Sequence, residues 1–577
     1  MEQKIYERYQ AWCNAPEMDA ENKKNLLAMA DDEKAIVEAF YQDLAFGTAG
    51  LRGILGAGTN RMNIYTVGKA TQGLANYIVK KGTAAMKSGV VIAYDSRIMS
   101  AEFARHSASI LAANGIHVYL FDALRPTPEL SFAIRHLKTV SGIVITASHN
   151  PAQYNGYKAY GADGAQLANE DADIVLAEIN ALDIFKDVKT VDFDAAVADG
   201  RIQMIGAEVD EAYLSCVMEQ SVADAEILKS AADLKIVYTP LHGAGNKLVL
   251  SVLDRIGFKA VSPVAEQQTP DGRFPTVKSP NPEDKACFTL AIELAKKEGA
   301  ELIIGTDPDG DRMGILILDS DGEYLPLNGN QVGVLLLNYV LSQRKATGRM
   351  PEHPVAVKTI VTTELARRVA EFYNVDIVDV LTGFKYIGDQ IKDSEETGLR
   401  QFVFGFEESY GYLSGTYARD KDSVVASMLT AEMTAWYRSR NMSLRDGLEE
   451  IYARHGYYLD ALTSIVREGK EGAEEIRGMM ENFRNALPES FDGIAVAAVR
   501  DYQASTRTVL KDGSTESIQL PKSNVIYVEL ADGSYFVVRP SGTEPKIKLY
   551  FAAKEKNAAA AETKINGLRK AVLDFVG

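Results

Sequence analysis

Short apolar, β-branched runs followed by polar loops recur along the chain. Three of these runs cover residues 90–94, 118–121 and 142–146. Each is long enough for one buried strand and too short for a helix. A helical segment beginning at Ala101 separates the first two runs, and another helix precedes the third. This alternation of strand and helix predicts an α/β domain with a mostly parallel sheet.

The same rhythm continues further along the chain. A strand at 234–238 and another early in residues 301–318 each lead into a polar loop, and three more strands are predicted at 355–360, 377–380 and 402–404. From about residue 456 the pattern changes to alternating strands at 525–530, 534–539 and 546–551, followed by a helix rich in Ala and Lys. The tripeptide at 531–533, Ala-Asp-Gly, predicts a hairpin between the first two of these strands.

The predicted fold is therefore three consecutive α/β domains with mostly parallel mixed sheets and a smaller C-terminal α+β domain. The boundaries that we predict are 41–206, 207–325, 326–455 and 456–577. Residues 1–40 precede them as a helical extension of two short amphipathic helices, with apolar positions at Leu26, Leu27, Met29, Ile36, Val37 and Phe40.

Composition limits the possible partners. A chain of 577 residues with a net charge of −17 and a pI near 5.1 is a poor nucleic-acid binder, although local Arg and Lys clusters can still hold phosphate. The three cysteines are far apart and lack metal-ligand spacing, which argues against a disulfide scaffold and a zinc site. The first residues lack the apolar core of a signal peptide, and the longest apolar run is about half a membrane span. We expect a soluble, cytoplasmic protein without a membrane partner.

The segment Asp307-Pro-Asp-Gly-Asp-Arg312 places three carboxylates at alternate positions of a tight loop. Asp307, Asp309 and Asp311 can converge on one ion, and three oxygen ligands suit Mg²⁺, whose remaining positions go to water or phosphate. An EF-hand is excluded because Gly310 comes two positions early and the twelfth residue is Leu318 instead of Glu. An acidic turn without an ion is the competing interpretation, but three like charges this close repel each other.

Ser148 follows the predicted strand at 142–146 and lies in a polar loop, where Pro151 prevents regular structure from continuing. In an open α/β sheet this is where a strand presents a reactive group. His149 suggests a hydrolase pair, but neighbouring residues in an extended segment point to opposite faces, so His149 is expected to be poorly placed to take the proton of Ser148. The G-x-S-x-G elbow of hydrolases is also missing around Ser148.

Three further polar loops carry ligand-binding residue types. Arg52 lies in a loop with three glycines, where the backbone can approach a ligand closely. The segment at 405–409, Gly-Phe-Glu-Glu-Ser, offers carboxylates suited to vicinal sugar hydroxyls. The segment at 539–545, Arg-Pro-Ser-Gly-Thr-Glu-Pro, resembles a phosphate nest, with an Arg fork, hydroxyls and glycine-freed N–H groups. The nucleotide-binding patterns of Walker A loops and dinucleotide folds do not occur.

The motif at 146–151, Thr-Ala-Ser-His-Asn-Pro, resembles the phosphoserine loop of the α-D-phosphohexomutases, and the other motifs follow in that family's order over roughly residues 40–553. The resemblance implies loops that meet in a central cleft and Mg²⁺ held by Ser148, Asp307, Asp309 and Asp311. It places in the catalytic group Ser148, Arg52, Lys158, Lys385 and His149. It places in substrate binding Arg312, Gly405, Glu407, Ser409, Arg539, Ser541, Gly542 and Thr543. Lys158 is either a general acid or base, or a purely electrostatic partner of the phosphoserine, and Lys385 is a second acid/base or phosphate-contacting lysine.

The implied reaction moves a phosphoryl group between two positions of a small phosphosugar through phosphoserine 148 and a bisphosphate. The forms Phe-Gly-Thr-Ala-Gly-Leu-Arg and Gly-Phe-Glu-Glu-Ser-Tyr-Gly look like the bacterial branch that acts on glucose 1-phosphate and glucose 6-phosphate, with glucose 1,6-bisphosphate as intermediate and activator. Mannose phosphate and pentose phosphates are the alternatives. A phosphatase would need open access of water, and a non-catalytic binding protein would have lost Ser148 or a metal-loop aspartate. We expect a monomer or a weak homodimer.

Overall fold

A computed structural model of the protein describes residues 1–47, 50–467, 469–541 and 546–576. Two structural units can be distinguished. The first comprises Met1–Leu327, Gly388–Gly398 and Tyr410–Ser439, and the second Asn328–Ile387, Leu399–Ser409 and Arg440–Gly577. Within the described part of the chain, no helix has the length and apolar character needed to span a membrane.

Three helices open the first unit, where the sequence predicted two: α1 (Gln3–Asn14), α2 (Ala20–Ala28) and α3 (Glu33–Phe40). Helix α1 was missed, although Ile5, Tyr9 and Trp12 mark its buried face at helical spacing. The Trp12 ring packs edge-on against Phe40, and this contact joins α1 to α3. Leu27, one of the apolar positions of the predicted amphipathic helix, is 58% exposed, and Leu26 is the buried residue of α2.

The first sheet has the strand order β1-β5-β4-β2-β3-β6. Its strands are β1 (Gly50–Ile54), β2 (Val90–Tyr94), β3 (Val118–Phe121), β4 (Ser141–Ile145), β5 (Tyr154–Gly161) and β6 (Ile202–Ile205). The helices around it are α4 (Ile64–Lys80), α5 (Thr83–Ser88), α6 (Ser100–Ala113), α7 (Thr127–Leu137), α8 (Asn169–Asn180) and α9 (Phe193–Ala198). Strands β2, β3, β4 and β6 are parallel, whereas β5 returns antiparallel to β4. The sheet is mixed because the Ser148 loop is a strand-to-strand turn.

The second sheet has the order β11-β10-β9-β7-β8. Its strands are β7 (Ile236–Thr239), β8 (Val261–Pro263), β9 (Leu302–Thr306), β10 (Met313–Leu318) and β11 (Tyr324–Leu327). Its helices are α10 (Ala207–Met218), α11 (Ala225–Lys229), α12 (Asn246–Arg255), α13 (Ala265–Gln268) and α14 (Thr289–Glu298), with a 3₁₀ turn at Lys285–Phe288. Strands β9 and β10 are antiparallel with Thr306 opposite Met313, so the three aspartates fill the connecting loop.

The second unit contains strands β12 (Pro354–Thr359), β13 (Asp376–Val380) and β14 (Gln401–Glu407), of which β12 is parallel to the other two. Strand β14 is longer than the predicted 402–404, because Gly405 and Phe406 stay in register with Val357 and Lys358. The expectation that all of 405–409 follows the strand is therefore wrong. The helices of the second unit in this part of the chain are α15 (Gly329–Ala346), α16 (Leu365–Phe372) and α19 (Leu444–His455). Helix α17 (Phe384–Thr397) is divided between the two units after Ile387, and β15 (Gly411–Leu413) and α18 (Ser423–Ser439) belong to the first unit.

The C-terminal part is a sheet of antiparallel strands with two helices, as an α+β domain requires. The strands are β16 (Tyr457–Val466), β17 (Ser490–Phe491), β18 (Ile494–Asp501), β19 (Thr506–Val509), β20 (Thr515–Ser517), β21 (Ile526–Leu530), β22 (Tyr535–Pro540) and β23 (Lys546–Glu555). The helices are α20 (Gly469–Asn485) and α21 (Ala558–Val576). The predicted hairpin joins β21 to β22, with Gly533 at φ +85°.

Candidate active site

Ser148 lies three residues after β4 and is buried, with its side chain directed at the aspartate loop of the second sheet. Its Oγ donates to Asp307 Oδ2 at 2.8 Å, and its N–H donates to Thr146 Oγ1 at 2.8 Å. The expectation that His149 points away is wrong, since His149 Nδ1 is 3.2 Å from Ser148 Oγ. The segment is not extended here, because Ser148 has φ +51°. Burial, followed by the charge of Arg312, holds the pKa of His149 well below its usual value.

The three aspartates between β9 and β10 form a buried carboxylate cluster. One ligand oxygen from each of Asp307, Asp309 and Asp311 lies within 4.8 Å of the other two. Asp309 Oδ1 and Asp311 Oδ1 accept no hydrogen bond from the described residues. Buried carboxylate oxygens rarely stay unpaired in native proteins, and three of them at this separation fit a hard divalent cation.

The pKa values of Asp307 and Asp309 in this cluster are shifted in opposite directions. Burial, together with the charges of Asp309 and Asp311, raises the pKa of Asp307 well above its usual value. Burial also acts to raise the pKa of Asp309, but the charges of Lys158 and Lys421 and the hydrogen bonds with Asp307 and Lys158 together lower that pKa. The cluster therefore depends on neighbouring positive charge to remain ionised.

Two lysines supply this charge. Lys158, on β5, places its Nζ 2.9 Å from Asp309 Oδ2 and 3.7 Å from Asp311 Oδ2. Lys421 Nζ lies 2.8 Å from Asp311 Oδ2 and 3.1 Å from Asp420 Oδ1. Sequence reasoning identified Lys158 and missed Lys421. The alternation Asp-Lys-Asp at 420–422, directly before α18, was the available signal.

The aspartate loop is also held from helix α7. The Thr127 N–H donates to the Asp309 carbonyl at 2.8 Å, and Thr127 Oγ1 donates to Asp309 Oδ2 at 2.9 Å. Gly310 adopts φ +62°, and a Cβ there would lie 2.7 Å from Pro126 Cβ. Only glycine allows the loop to approach α7 this closely.

The two predicted arginines of this unit each contact one of these loops. Arg52 lies on β1 instead of in the predicted loop, and it donates to Asn150 Oδ1 at 3.3 Å, next to Ser148. Arg312 donates to Glu283 Oε1 at 2.9 Å and lies 3.7 Å from Asp311. The first unit thus brings together Arg52, Ser148, His149, Lys158, Asp307, Asp309, Asp311 and Arg312.

The predicted sugar-binding residues belong to the second unit. Glu407 ends β14, and its Oε1 accepts from the Gly383 N–H at 2.9 Å. Its neighbour Glu408 is 3.4 Å from Thr359 Oγ1, and burial together with the Glu407 charge raises the pKa of Glu408. At Gly405 a Cβ would come within 2.8 Å of the Ile387 side chain, so close packing of β14 favours glycine at this position.

The other predicted residues of the second unit lie on α17 and at the end of β22. Lys385 Nζ is 5.0 Å from the centre of the Tyr386 ring. Arg539 lies opposite Lys548 in the β22–β23 ladder, and the Ser541 N–H donates to the Lys546 carbonyl at 2.8 Å. Ser409 comes two residues after β14. Gly542 and Thr543 lie outside the described residues.

Four family domains match the chain in order. Residues 43–184, 211–320 and 328–455 match the α/β/α domains I, II and III of phosphoglucomutase/phosphomannomutase, and residues 468–564 match its C-terminal domain. The chain belongs to the phosphoglucomutase/phosphomannomutase family. The family resemblance and the fold class predicted from the sequence are both confirmed, and the protein is an intramolecular phosphotransferase, an isomerase.

Individual relatives agree with this assignment. Phosphoglucomutase of Staphylococcus haemolyticus (strain JCSC1435) is 40% identical over 522 residues, which cover 90% of this chain and 92% of that protein. The crystal structure of a phosphoglucomutase/phosphomannomutase family protein from Burkholderia thailandensis matches with a TM-score of 0.62 at 20% identity, covering 92% of this chain and 97% of that one. The open form of pp63/parafusin from Paramecium matches with a TM-score of 0.66 at 17% identity, covering 92% and 94%.

Proposed function

We propose that this family member interconverts glucose 1-phosphate and glucose 6-phosphate, with phosphoserine 148 as donor and glucose 1,6-bisphosphate as intermediate. The observation that carries the proposal is the 2.8 Å contact between Ser148 Oγ and Asp307 within a buried cluster of three carboxylates. A serine whose hydroxyl faces this carboxylate cluster is well suited to hold a phosphoryl group beside a cation. Relatives named phosphoglucomutase support glucose over mannose and pentose phosphates as the sugar.

The residues present fit a resident Mg²⁺. Asp307, Asp309 and Asp311 would hold it, together with an oxygen on Ser148. When bound, Mg²⁺ neutralises charge on the phosphoryl oxygens. Without a cation, two unpaired carboxylate oxygens would remain buried, each at the cost of its lost hydration.

In the proposed forward step, the P–Oγ bond of phosphoserine 148 breaks while a bond forms between phosphorus and the free sugar hydroxyl. The hydroxyl proton passes to a base, and Ser148 Oγ regains a proton. Lys158 and Lys421, held at 2.9 and 2.8 Å from the aspartates, provide fixed positive charge near the transferring group. After the bisphosphate reverses its orientation, its other phosphate returns to Ser148.

The second unit would provide substrate recognition. Glu407 and Ser409 would accept and donate hydrogen bonds to sugar hydroxyls, and Arg539 with Ser541 would bind the phosphate that is not transferred. A sugar that reacts in two orientations requires a phosphate site apart from the donor.

Phosphoryl transfer through Ser148 is tested by comparing wild type with Ser148→Ala and Ser148→Thr. We expect intact-mass analysis of active wild type to show one phosphate adduct that peptide mapping assigns to Ser148. Ser148→Ala should fold normally and lose mutase turnover. Full turnover in Ser148→Ala would overturn the mechanism, and release of free phosphate without isomerisation by wild type would make the protein a phosphatase.

The metal requirement is tested separately. Chelation should abolish turnover, and added Mg²⁺ should restore it. An enzyme that is indifferent to chelation would contradict the metal assignment while leaving the Ser148 result intact. The cytoplasmic location and the monomeric or weakly dimeric state stay predictions.

A further inference from the structure

Arg97 binds the backbone of the Ser148 loop through four carbonyl groups. Its Nη2 donates to the carbonyls of Ser148, at 2.5 Å, and of Asn150. Its Nη1 donates to the carbonyls of Pro151 and Tyr154, both at 3.0 Å. One planar guanidinium therefore holds the whole turn from Ser148 to the start of β5.

The environment of Arg97 shows that this contact is buried inside the protein. The Arg97 side chain is fully buried, and its Nε lies 3.4 Å from Asp95 Oδ2. Asp95 is itself held, since its Oδ1 accepts from the Arg97 N–H at 2.9 Å and from Ser100 Oγ at 2.7 Å. On its other side, the guanidinium lies 5.0 Å from the centre of the Phe274 ring. A buried charge with this many defined partners has one favourable position.

The turn that Arg97 holds is strained at the reactive residue. Ser148 has φ +51°, in the left-handed region that non-glycine residues adopt rarely and at a cost. That conformation turns Oγ toward Asp307 instead of leaving it along an extended strand. If the guanidinium were absent, each of the four carbonyls would lose a hydrogen bond, although that of Pro151 would still accept from the Tyr154 N–H, and the loop would be less firmly held in this conformation.

We propose that Arg97 is a positioning residue, which holds the Ser148 backbone so that Oγ stays in line with the aspartate cluster during phosphoryl transfer. The inference rests on the proposed role of phosphoserine 148. Arg97 acts through the loop carbonyls and takes no part in bonding to the substrate. Its removal should affect transfer to and from Ser148 much more than metal binding, because the aspartates keep their own contacts to Thr127, Lys158 and Lys421.

The test compares Arg97→Met and Arg97→Lys with wild type. Methionine keeps the apolar stem and removes all donors, whereas lysine keeps the charge but lacks the planar fork that reaches four carbonyls. For Arg97→Met we expect kcat to fall about 100-fold, as for a misplaced reacting group, with KM changed less than about threefold. Phosphoryl uptake by Ser148 from glucose 1,6-bisphosphate, followed by intact mass, should slow by a similar factor. The kcat and the uptake rate of Arg97→Lys should lie between those of wild type and of Arg97→Met.

Arg135→Met is the matched control. Arg135 belongs to the same unit and likewise binds a backbone carbonyl, that of Thr416, and a carboxylate, that of Glu395. The Arg135→Met variant should be less thermally stable than wild type, while phosphoryl uptake by its Ser148 should not be slower. Mn²⁺ affinity, measured by electron paramagnetic resonance, should stay within about threefold of wild type in all variants.

The outcomes separate this inference from the proposed function. Phosphoryl uptake by Arg97→Met at the wild-type rate would overturn the positioning role. The role would also be overturned if Arg135→Met, at the same melting temperature as Arg97→Met, took up phosphate as slowly as Arg97→Met does. If Arg97→Met does not fold, a folded Arg97→Lys with wild-type kcat overturns the inference, and one with reduced kcat at unchanged KM supports it. Failure of wild type itself to take up phosphate at Ser148 would instead overturn the mutase mechanism.

Discussion

At the scale of single residues, Thr127 determines which oxygen of Asp309 is available to a cation. Its hydroxyl and Lys158 both bind Asp309 Oδ2, at 2.9 Å each, while Oδ1 accepts no hydrogen bond from the part of the chain that the structure describes. Thr127→Val should therefore weaken Mn²⁺ binding about 10-fold or more, as is usual when a group that orients a metal ligand is lost. Thr127→Ser, which keeps the hydroxyl, should bind Mn²⁺ like wild type. Equal affinities for the Val and Ser variants, measured by titration calorimetry, would contradict this role.

Glu129 is a second residue with a measurable effect, here on the pH dependence of stability. Its side chain is fully buried on α7, 3.8 Å from Arg125, and burial together with the charge of Asp210 raises its pKa well above the usual value. The folded protein keeps a proton that the unfolded chain releases above about pH 4.3. Because the folded state then binds more protons, stability falls as pH rises toward the raised pKa.

In the variant Glu129→Gln, the side chain at this position cannot bind or release a proton. Its stability relative to wild type should rise with pH when urea unfolding is followed by circular dichroism from pH 5 to pH 8. Glu211→Gln, a change at an exposed carboxylate, serves as control and should not reproduce this trend. A constant difference between Glu129→Gln and wild type across that range would mean that Glu129 is ionised in the folded protein.

At the scale of secondary-structure elements, the buried Trp12 side chain helps to attach α1 to its neighbours. The Trp12 side chain is 3% exposed and contacts Phe40, Tyr65 and Phe185 edge-on. Trp12→Ala should lower the free energy of unfolding by about 3–5 kcal/mol, the usual effect of truncating a large buried aromatic side chain. Tyr6→Ala, at a 42% exposed position of the same helix, should change it by less than about 0.5 kcal/mol. Similar losses in both variants would show that α1 is held by other contacts.

At the scale of the whole molecule, the two units carry different parts of the proposed reaction. Arg539→Ala removes a charge-assisted donor worth about 1.5–3 kcal/mol, so kcat/KM should fall by roughly one to two powers of ten. Mn²⁺ affinity should not change, because the aspartates belong to the other unit. Weaker retention of the bisphosphate should also release glucose 1,6-bisphosphate during turnover, which enzymatic assay of the supernatant detects.

The control for this prediction is Arg477→Ala, at a side chain in the same unit that is 72% exposed. It should leave kcat/KM and bisphosphate release at wild-type values. An unchanged KM in Arg539→Ala, with no additional bisphosphate released, would place the binding of the second phosphate elsewhere.

Local sequence patterns were sufficient to predict the strand-and-loop framework. Strands at 90–94 and 118–121 agree with the structure to the residue, because β-branched apolar runs ended by polar residues favour a buried strand locally. The Asp307 loop was predictable for a related reason, since alternate carboxylates in a short turn lie close together whatever the rest of the chain does. Helix α1 was missed although its pattern was present, and β14 was cut short because its last residues are held by β12.

The groups that support those loops from distant parts of the chain could not be predicted from the sequence. Lys421 reaches Asp311, Thr127 reaches Asp309, and Arg97 reaches the carbonyl of Ser148, which lies 51 residues further along the chain. No local pattern encodes these pairs, because each depends on how separate elements pack. The same holds for His149, whose ring approaches Ser148 Oγ only because the fold holds Ser148 at a positive φ that an isolated segment would avoid.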